Sequence, residues 1–382
     1  MAIFLLISVA VLLFLHVLGV ALLLRNQRWL RWSPNQRLAA GRSYPITVIV
    51  PARNEEADIG ACLRSLLAQE NVELRIIAVN DHSDDQTGRI MDELAAEHPR
   101  VTVIHNPPLR PGWLGKHNAM QSALEKVETE YALLTDADVI FHPSCLSLAA
   151  AELEAKQIDL LSVYPQFQFV TFCETMLVPI YVSGTALLLS PRVVDPRWPQ
   201  AMAVGAFILV RSKSLRAIGG FDGLKTEILD DVGLARAFKR YGFSVGLRSA
   251  PDLMRVRFFK SNRDAFWGVT KHLLGLVQGR IWIAPLLAVA PLVMYGVVLT
   301  GLIYGLRFDD TTLACLAFAT LAMHYGSFFL TGRSYSFSAW KALAFPAMSV
   351  QFAFSCGRAI YLFIIKGSFQ WRGRQHRVRN VK

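Results

Sequence analysis

Four long apolar runs set the strongest constraint on how this 382-residue chain can fold. The runs are Ile3 to Leu24, Ile281 to Leu306, Thr311 to Leu330 and Ala342 to Ile365. Each is close to the roughly 20 residues that an α-helix needs to cross the hydrocarbon core of a bilayer. The first run has no basic segment before it and no clear cleavage site after it. It therefore predicts a membrane anchor rather than a signal peptide.

Positive charge is concentrated beside the first and last apolar runs. The net charge is +11 at pH 7. The flanking cations are Arg25, Arg28, Arg31, Arg37 and Arg42, and then Lys366, Arg372, Arg374, Arg377, Arg379 and Lys382. Cations at such flanks mark the cytoplasmic side of a bilayer and attract anionic lipid. Because the middle of the chain is not a basic stripe, we expect a membrane partner and no nucleic-acid partner.

The five cysteines are scattered along the chain and show no Cys-x-x-Cys spacing. That pattern argues against a disulfide framework or a zinc site. It fits a middle domain that lies in a reducing cytosol.

The middle of the chain alternates short apolar runs with stretches of helical spacing. Predicted strands are 46–50, 74–79, 101–104 and 131–134, and predicted helices are 59–69, 87–98 and 117–127. Such alternation is typical of an α/β fold with a mostly parallel, doubly wound sheet. Ligands of these sheets bind beyond the carboxyl ends of the strands.

Two aspartates, Asp136 and Asp138, follow the predicted strand Tyr131 to Leu134. Alternate side chains of a strand share a face, so we expect both carboxylates on one side of the strand tip. Two carboxylates so close need a cation, and hard oxygen ligands suit Mg²⁺ or Mn²⁺ with phosphate oxygens completing the shell. Taken alone, an Asp-x-Asp is more often a helix cap or a polar loop.

Further polar clusters stand at or near predicted strand ends. They are Pro51 to Glu56, Asn80 to Thr87, and Asp230 with Asp231. Acidic groups at several strand tips would form one electronegative pocket, which needs a metal or a polar ligand to be tolerable.

These motifs, in this order, resemble a family-2 glycosyltransferase of the GT-A fold. The segments that carry the resemblance are VPARNEE, VNDHSDDQT, LTDADV, VGAFILVRSKSLRAIGGFD and ILDDVGLA, within residues 45–260. In VNDHSDDQT, Asn80 replaces the first aspartate of the family motif.

The resemblance implies a role for each matching position. On the donor side, Asp81 would bind the uracil of a UDP-sugar beside Pro51, Arg53, Asn54 and Glu55, and Asp136 would face the ribose and donor sugar. Asp138 would hold the metal on the diphosphate, and Asp231 would be the general base of an inverting transfer. Gly220, Phe221 and Asp230 would lie on the acceptor or diphosphate side. The change at Asn80 leaves the choice of base less certain.

Outside the core motifs, the chain departs from processive synthases, because it has no Q/R-x-x-R-W motif after the catalytic acid. The segments GWLGK, WGVTK and the terminal WRGR resemble instead bacterial membrane glycosyltransferases of hopanoid and carotenoid biosynthesis. We expect Lys116, Arg257 and Lys271 to contact the donor or its diphosphate. Lipid anchoring explains Arg257 and Lys271 equally well, and Lys116 fits a plain loop cation.

Together these features predict a multi-pass inner-membrane glycosyltransferase with a cytoplasmic catalytic domain, a UDP-sugar donor and a lipid acceptor. The expected segments are an anchor (1–24), a basic connector (25–44), a GT-A domain (45–260), an interfacial segment (261–280), C-terminal membrane helices (281–365) and a basic tail (366–382). Phe167 to Leu189 is expected as an interfacial helix, with a core helix as the alternative. A nucleotidyltransferase and a non-catalytic membrane scaffold are the competing functions.

The sidedness of the tail follows from the number of crossings. An anchor entering from outside, followed by three crossings, would leave the basic tail outside, against the positive-inside rule. Pro346 and Arg358 make Ala342 to Ile365 the run that we expect not to cross.

Overall fold

The computed structural model describes residues 1–35, 37, 41–227, 229–277, 282–335, 339–371 and 374–377. The chain divides into two compact units. The sheet unit consists of residues 30–167 and 190–257, and the helical unit of residues 1–29, 168–189 and 258–382. Some predicted positions lie outside the described residues, namely Ile228, the last residues 278–280 of the interfacial segment, Ile281, and Arg372, Gly373, Arg379 and Lys382 of the tail.

The described strands follow the predicted spacing closely. They are β1 (Tyr44–Ala52), β2 (Val72–Asn80), β3 (Val101–His105), β4 (Tyr131–Leu134), β5 (Val139–Phe141), β6 (Leu160–Tyr164), β7 (Gln166–Phe167), β8 (Ile208–Arg211), β9 (Val245–Ser249), β10 (Met254–Val256), β11 (Ser368–Trp371) and β12 (Arg374–Arg377).

The central sheet has seven strands in the order β3-β2-β1-β4-β8-β6-β9. The pairs β1–β2, β2–β3, β1–β4 and β6–β9 are parallel, and β8 runs antiparallel to both of its neighbours. The predicted α/β class with a mostly parallel sheet is therefore confirmed. The carboxyl ends of β1, β2 and β4 share one edge, which is the edge where this topology binds ligands.

The composition of β1 fits its inner position in the sheet. Ile46, Val48, Ile49 and Val50 are all fully buried. A run that is apolar on both faces is what a parallel strand covered on both sides requires.

Helices connect the strands of the sheet unit and build the helical unit. They are Ala2–Leu30, Ile59–Leu67, Thr87–Glu97, Gly115–Leu124, Cys145–Ala155, Phe172–Leu188, Ser212–Ala217, Asp230–Arg240, Asn262–Val277, Ile283–Arg307, Thr311–Tyr335 and Phe345–Tyr361. The helices predicted after β1, β2 and β3 are confirmed, with ends that differ by a few residues.

Four helices of the helical unit are long and apolar enough to cross a membrane. They are Ala2–Leu30, Ile283–Arg307, Thr311–Gly332 and Lys341–Lys366. The first continues six residues past Leu24, so that Arg25 and Arg28 belong to the helix. The last is followed by the hairpin β11–β12, so the apolar helices do not stand strictly at both ends of the chain.

The features that made the last apolar run suspect have structural explanations. Pro346 lies in the first turn of helix Phe345–Tyr361, where proline is tolerated, and therefore does not break the helix. The Arg358 guanidinium lies 3.0 Å from the centroid of the Trp267 ring, within the same unit. A cation over an aromatic face is stabilised by the ring quadrupole, which lowers the cost of burying it.

Helix Phe172–Leu188 belongs to the helical unit, although the sequence places it within the predicted catalytic segment. It packs against helices Asn262–Val277 and Phe345–Tyr361. Its N-terminus is fixed by a capping box between Thr171 and Glu174. The expectation of an interfacial helix rested on a place inside the soluble domain, and this grouping removes that reason.

Candidate active site

Three charged side chains from distant segments of the sheet unit form one ion-pair cluster. Lys116 lies in the first turn of helix Gly115–Leu124, Asp136 follows β4, and Asp230 begins helix Asp230–Arg240. Lys116 Nζ lies 2.7 Å from Asp136 Oδ1 and 2.8 Å from Asp230 Oδ2. Lys116 thus neutralises negative charge on Asp136 and Asp230.

The surroundings of Lys116 favour its charged form. Burial opposes the charged form, but the charges and hydrogen bonds of Asp136 and Asp230 outweigh it and raise the pKa of the ammonium above its usual range. The Lys116 side chain is 36% exposed, so the cluster faces an accessible surface. Two of its three N–H donors are used by these pairs, which leaves one for a ligand.

Asp231 lies beside this cluster and is oriented by two main-chain groups. The Gly205 N–H donates to Asp231 Oδ2 at 3.0 Å, and the Val232 N–H donates to Asp231 Oδ1 at 2.8 Å. Burial and the charge of Asp230 raise the pKa of Asp231 to about 7, against the opposing effects of these hydrogen bonds and of Lys116. A carboxyl group poised near neutral pH is suited to general-base catalysis.

Gly205 is the point on which these groups converge. A Cβ atom built on Gly205 would lie 3.5 Å from Asp136 Oδ2, 3.7 Å from Lys116 Nζ and 3.8 Å from Asp231 Oδ2. The residue belongs to the predicted segment VGAF, but its role in orienting Asp231 was missed. Its hydrogen bond uses a main-chain N–H, which any non-proline residue supplies, so the residue type gave no signal.

The two loops that follow β1 and β2 are joined by hydrogen bonds. Arg53 donates to the Asp81 carbonyl at 3.1 Å, the Asn54 N–H donates to Ser83 Oγ at 3.0 Å, and the Glu55 N–H donates to Thr87 Oγ1 at 2.8 Å. The two loops begin at the same position along the strand direction, because Ala52 and Asn80 are paired in the β1–β2 register. Pro51, Arg53, Asn54, Glu55 and Asp81 therefore stand at the same sheet edge.

Asn80, the departure from the family motif, has a structural role. Its Oδ1 accepts from the Ser83 N–H at 3.1 Å, and its Nδ2 lies 3.2 Å from His105 Nδ1. His105 Nε2 lies 2.8 Å from Asp92 Oδ1. A neutral amide fits this chain, because its N–H₂ can donate to a histidine whose other nitrogen donates to Asp92.

Gly220 and Phe221 are fixed against helix Gly115–Leu124. Gly220 has φ of +63°, and a Cβ there would lie 2.5 Å from Gln121 Oε1. The Phe221 N–H donates to the same oxygen at 2.8 Å, and the Phe221 ring is buried. Phe221 lines the small cavity that also contacts Lys116, Asp230 and Asp231. Phe221, one of the residues predicted on the acceptor or diphosphate side, thus lies beside the charged cluster.

Asp136 and Asp138 lie in the turn between β4 and β5, because β4 ends at Leu134. The alternation rule for strands therefore does not place them. Both nevertheless lie near Cys62, whose thiol pKa is raised by burial and then by the charges of Asp138 and Asp136. The antiparallel β5–β10 register pairs Val139 with Val256. Asp138, which precedes Val139, and Arg257, which follows Val256, therefore stand at the same end of the two strands.

The carboxylates of Asp136 and Asp138 fit a divalent ion that arrives with a substrate. In the part of the chain that the structure describes, no group of three or more His, Cys, Asp or Glu residues converges as a complete ligand set. Mg²⁺ typically uses one or two carboxylates and takes its other ligands from phosphates and water. Asp136 and Asp138 would therefore supply only part of the ligand shell of such an ion.

Lys271 belongs to helix Asn262–Val277 of the helical unit. The other predicted site residues belong to the sheet unit.

The sequence of this chain is similar to those of known glycosyltransferases. The family model for glycosyl transferase family 2 matches residues 47–219. The chain is 24% identical over 257 residues to a 4,4'-diaponeurosporenoate glycosyltransferase of Staphylococcus haemolyticus, a match that spans 66% of each chain. It is 26% identical over 235 residues to the protein of that name from Staphylococcus aureus strain USA300, over 60% of each chain. The matches thus span somewhat under two thirds of these relatives.

A solved structure is similar over almost the whole chain. It is the mannosyltransferase PcManGT from Pyrobaculum calidifontis in complex with GDP-Man and Mn²⁺. The TM-score is 0.53 with 17% identity, and the match covers 94% of this chain and 99% of that one. At this identity the similarity concerns the fold. Residues 47–219 thus resemble a family-2 glycosyltransferase domain in sequence, and the sheet topology and this neighbour confirm the predicted GT-A fold.

Proposed function

We propose that the chain transfers a sugar from a UDP-sugar to an apolar lipid acceptor at the cytoplasmic face of the inner membrane, with inversion at the anomeric carbon. The observation that carries the proposal is the convergence of Lys116, Asp136, Asp230 and Asp231 around Gly205 at the ligand-binding edge of the sheet. This arrangement puts a candidate base beside groups that can hold an anionic leaving group.

The donor side of the proposal rests on the joined loops after β1 and β2. Asp81 is buried, and the hydrogen bond from Arg53 to its carbonyl fixes its main chain. We assign Asp81 to the uracil, with Pro51, Arg53, Asn54 and Glu55 lining the nucleotide, and Asp136 to the ribose and donor sugar. The solved neighbour binds GDP-Man, so donor panels must contain GDP-sugars as well.

Asp138, with Asp136, would hold Mg²⁺ or Mn²⁺ on the donor diphosphate. When bound there, such an ion would neutralise negative charge on the departing nucleotide. Lys116 would support the same diphosphate with its remaining N–H donor, and Arg257 would do so from its place beside Asp138. Lys271 remains a proposed diphosphate or lipid contact.

Asp231 would remove the proton from the acceptor hydroxyl, or would hold that hydroxyl in line for its attack on the anomeric carbon. Its two main-chain hydrogen bonds hold one carboxylate orientation without using its remaining lone pairs. Asp230 raises the pKa of Asp231 and thereby its basicity. Phe221, with Gly220 setting its position, would form an apolar wall on the acceptor side.

The lipid class of the acceptor is suggested by the relatives and by the apolar helices. Both named relatives act on 4,4'-diaponeurosporenoate, a carotenoid acid. Four helices long and apolar enough to cross a bilayer would hold the catalytic domain at the membrane surface, where an insoluble acceptor is available. The sequence-based segment boundaries and the inner-membrane location belong to this proposal.

A donor panel tests the proposal. Membranes containing the full chain are incubated with UDP- and GDP-sugars, with Mg²⁺ or with EDTA, and extracted lipids are analysed by mass spectrometry. We expect a lipid whose mass increases by one sugar residue with a UDP-sugar, in the presence of metal only. Membranes with Asp231→Asn are the matched control. Absence of any glycosylated lipid with every donor would contradict the proposal.

A further inference from the structure

The apolar helices of the helical unit line a partly open cavity of about 280 Å³. Its wall is mainly apolar and includes Leu23, Ile180, Val298, Phe328 and Phe345. This volume is close to the lower end of the range for ligand cavities, roughly 300 Å³. It is also several times the roughly 30 Å³ that one water molecule occupies in the liquid.

Most polar side chains of the cavity wall already have hydrogen-bond partners. The pairs are Tyr295 with the Tyr325 hydroxyl at 2.9 Å, Thr320 with the Leu316 carbonyl at 2.8 Å, Ser327 with the His324 carbonyl at 2.7 Å, and Thr331 with the Ser327 carbonyl at 2.9 Å. Such pairing is expected, because burying a polar group in an apolar environment costs free energy unless the group is hydrogen-bonded.

Two atoms of the wall are exceptions. Ser183 Oγ and His324 Nε2 are buried and have no hydrogen-bond partner among the described residues. A buried polar group without a partner costs free energy, so a native site that retains two of them calls for a ligand or an ordered molecule. His324 lies near the middle of helix Thr311–Tyr335, far from either end.

The hydrogen-bond pattern defines what His324 Nε2 can bind. His16 Nδ1 lies 2.8 Å from the Leu12 carbonyl, and only a donor N–H can make that bond. In an apolar wall the neutral imidazole is favoured, so His16 Nε2 carries a lone pair. His324 Nδ1, 3.2 Å away, must then donate to it. The His324 Nε2 atom is therefore an acceptor, and it requires a ligand that donates.

We propose that this cavity binds an apolar lipid that carries a hydroxyl group, with the hydroxyl donating to His324 Nε2. A hydroxyl can also accept from Ser183, so one functional group has the chemistry that each of the two atoms requires. Anionic lipid groups fit poorly, because none of the described wall residues is Lys or Arg. The inference rests on the proposed membrane location of these helices, but not on sugar transfer.

The test uses the purified full chain in lipid nanodiscs. The probes are radiolabelled hexahydrofarnesol, a saturated branched alcohol, and the hydrocarbon farnesane, which has the same saturated carbon skeleton without the hydroxyl. We expect saturable binding of the alcohol that is about tenfold tighter than farnesane binding, the scale of one buried hydrogen bond. His324→Leu should abolish this preference while farnesane still binds. Phe318→Leu, on the same helix at a side chain that is 66% exposed and outside the cavity wall, is the matched control.

Two further variants keep the inference testable if His324→Leu does not fold. Ser183→Ala should reduce the preference for the alcohol without affecting the hydrocarbon. Gly184→Leu adds bulk at a wall position where a Cβ meets no atom within 4 Å, and should weaken binding of both probes. Equal affinity for the two probes would show that the hydroxyl is not recognised, and binding that does not saturate would show that the cavity takes neither probe. Either result would overturn the inference. Sugar transfer measured on the same sample shows whether the proposed function stands separately.

Discussion

The Gly205 N–H lies 3.0 Å from Asp231 Oδ2 and donates a hydrogen bond to it. The residue that precedes β8 by a few positions thus fixes the orientation of a carboxylate on helix Asp230–Arg240. Since the Val232 N–H holds the other oxygen, the Asp231 side chain has one defined direction towards Lys116 and Asp136. A base held in this way needs little reorganisation before it acts.

Replacing Asp231 by asparagine should separate binding from turnover. The amide is nearly isosteric but cannot take the acceptor proton, so we expect nucleotide affinity near wild type and turnover lower by about a hundredfold or more. Isothermal calorimetry and initial rates measure the two quantities. A fall in turnover of less than about threefold would make Asp230 the better candidate for the base.

The pH dependence follows from the raised pKa of Asp231. The group must be deprotonated to act as a base, so kcat/KM should rise with pH through a midpoint near 7. Because the charge of Asp230 raises the pKa of Asp231, Asp230→Asn should move this midpoint to lower pH. Rate profiles from pH 5 to 9 check both statements. A midpoint unchanged in Asp230→Asn would contradict the assignment of Asp231.

Loss of Asp138 should remove metal-dependent nucleotide binding while the protein remains folded. Asp138 lies in the partly buried turn after β4, and a missing ligand would weaken binding of the ion and of the diphosphate together. Calorimetry of UDP binding with Mg²⁺, with Mn²⁺ and with EDTA measures the effect in Asp138→Ala. An affinity that still depends on metal as in the wild type would exclude Asp138 as a ligand.

Two neighbouring glycines provide a matched stability test. Gly220 has φ of +63° and a Cβ there would lie 2.5 Å from Gln121 Oε1, whereas a Cβ at Gly223 meets no atom within 4 Å. Gly220→Ala should therefore destabilise the protein by about 1–3 kcal/mol, and Gly223→Ala should be close to neutral. Thermal unfolding of both variants gives the comparison. Equal melting temperatures would show that the turn before Phe221 tolerates a side chain.

The basic tail is expected on the cytoplasmic face, beside the catalytic domain. Each cation near the surface favours anionic lipid by about 1 kcal/mol, which disfavours outward placement. The four candidate spans, with an anchor entering from outside, would put the tail outside, so one of the C-terminal runs must then not cross. A periplasm-active phosphatase fused after Lys382 should be silent, and a fluorescent protein fused there should fluoresce. The reverse pattern would indicate four true crossings.

The parts of the structure that local patterns determine could be predicted from sequence. The periodicity of strands and helices predicted the sheet. The rule that parallel strands share a carboxyl edge predicted that Asp81 and Asp136 lie at the same edge. The ion pairs of Lys116 could not be predicted, because they join a helix start, a turn and a second helix start that lie up to 114 positions apart. Spacing along the chain carries no information on which distant charges meet.

The same limit explains why the packing partners of helix Phe172–Leu188 were not predicted. Its composition is apolar throughout, so the sequence distinguishes poorly between a core helix and one that packs on other apolar helices. Its partners, helices Asn262–Val277 and Phe345–Tyr361, lie about 75 to 190 positions downstream and could be identified only in the folded chain.

The most direct test of the account is the stoichiometry of products from the purified full chain in nanodiscs. The donor is the nucleotide sugar identified by the panel, and the acceptor is the lipid that becomes glycosylated. We predict one UDP released for each glycosylated lipid formed, with inverted anomeric configuration by NMR and with both products lost in Asp231→Asn. Release of UDP and free sugar without a lipid product, or release of inorganic diphosphate as from a nucleotidyltransferase, would contradict the account.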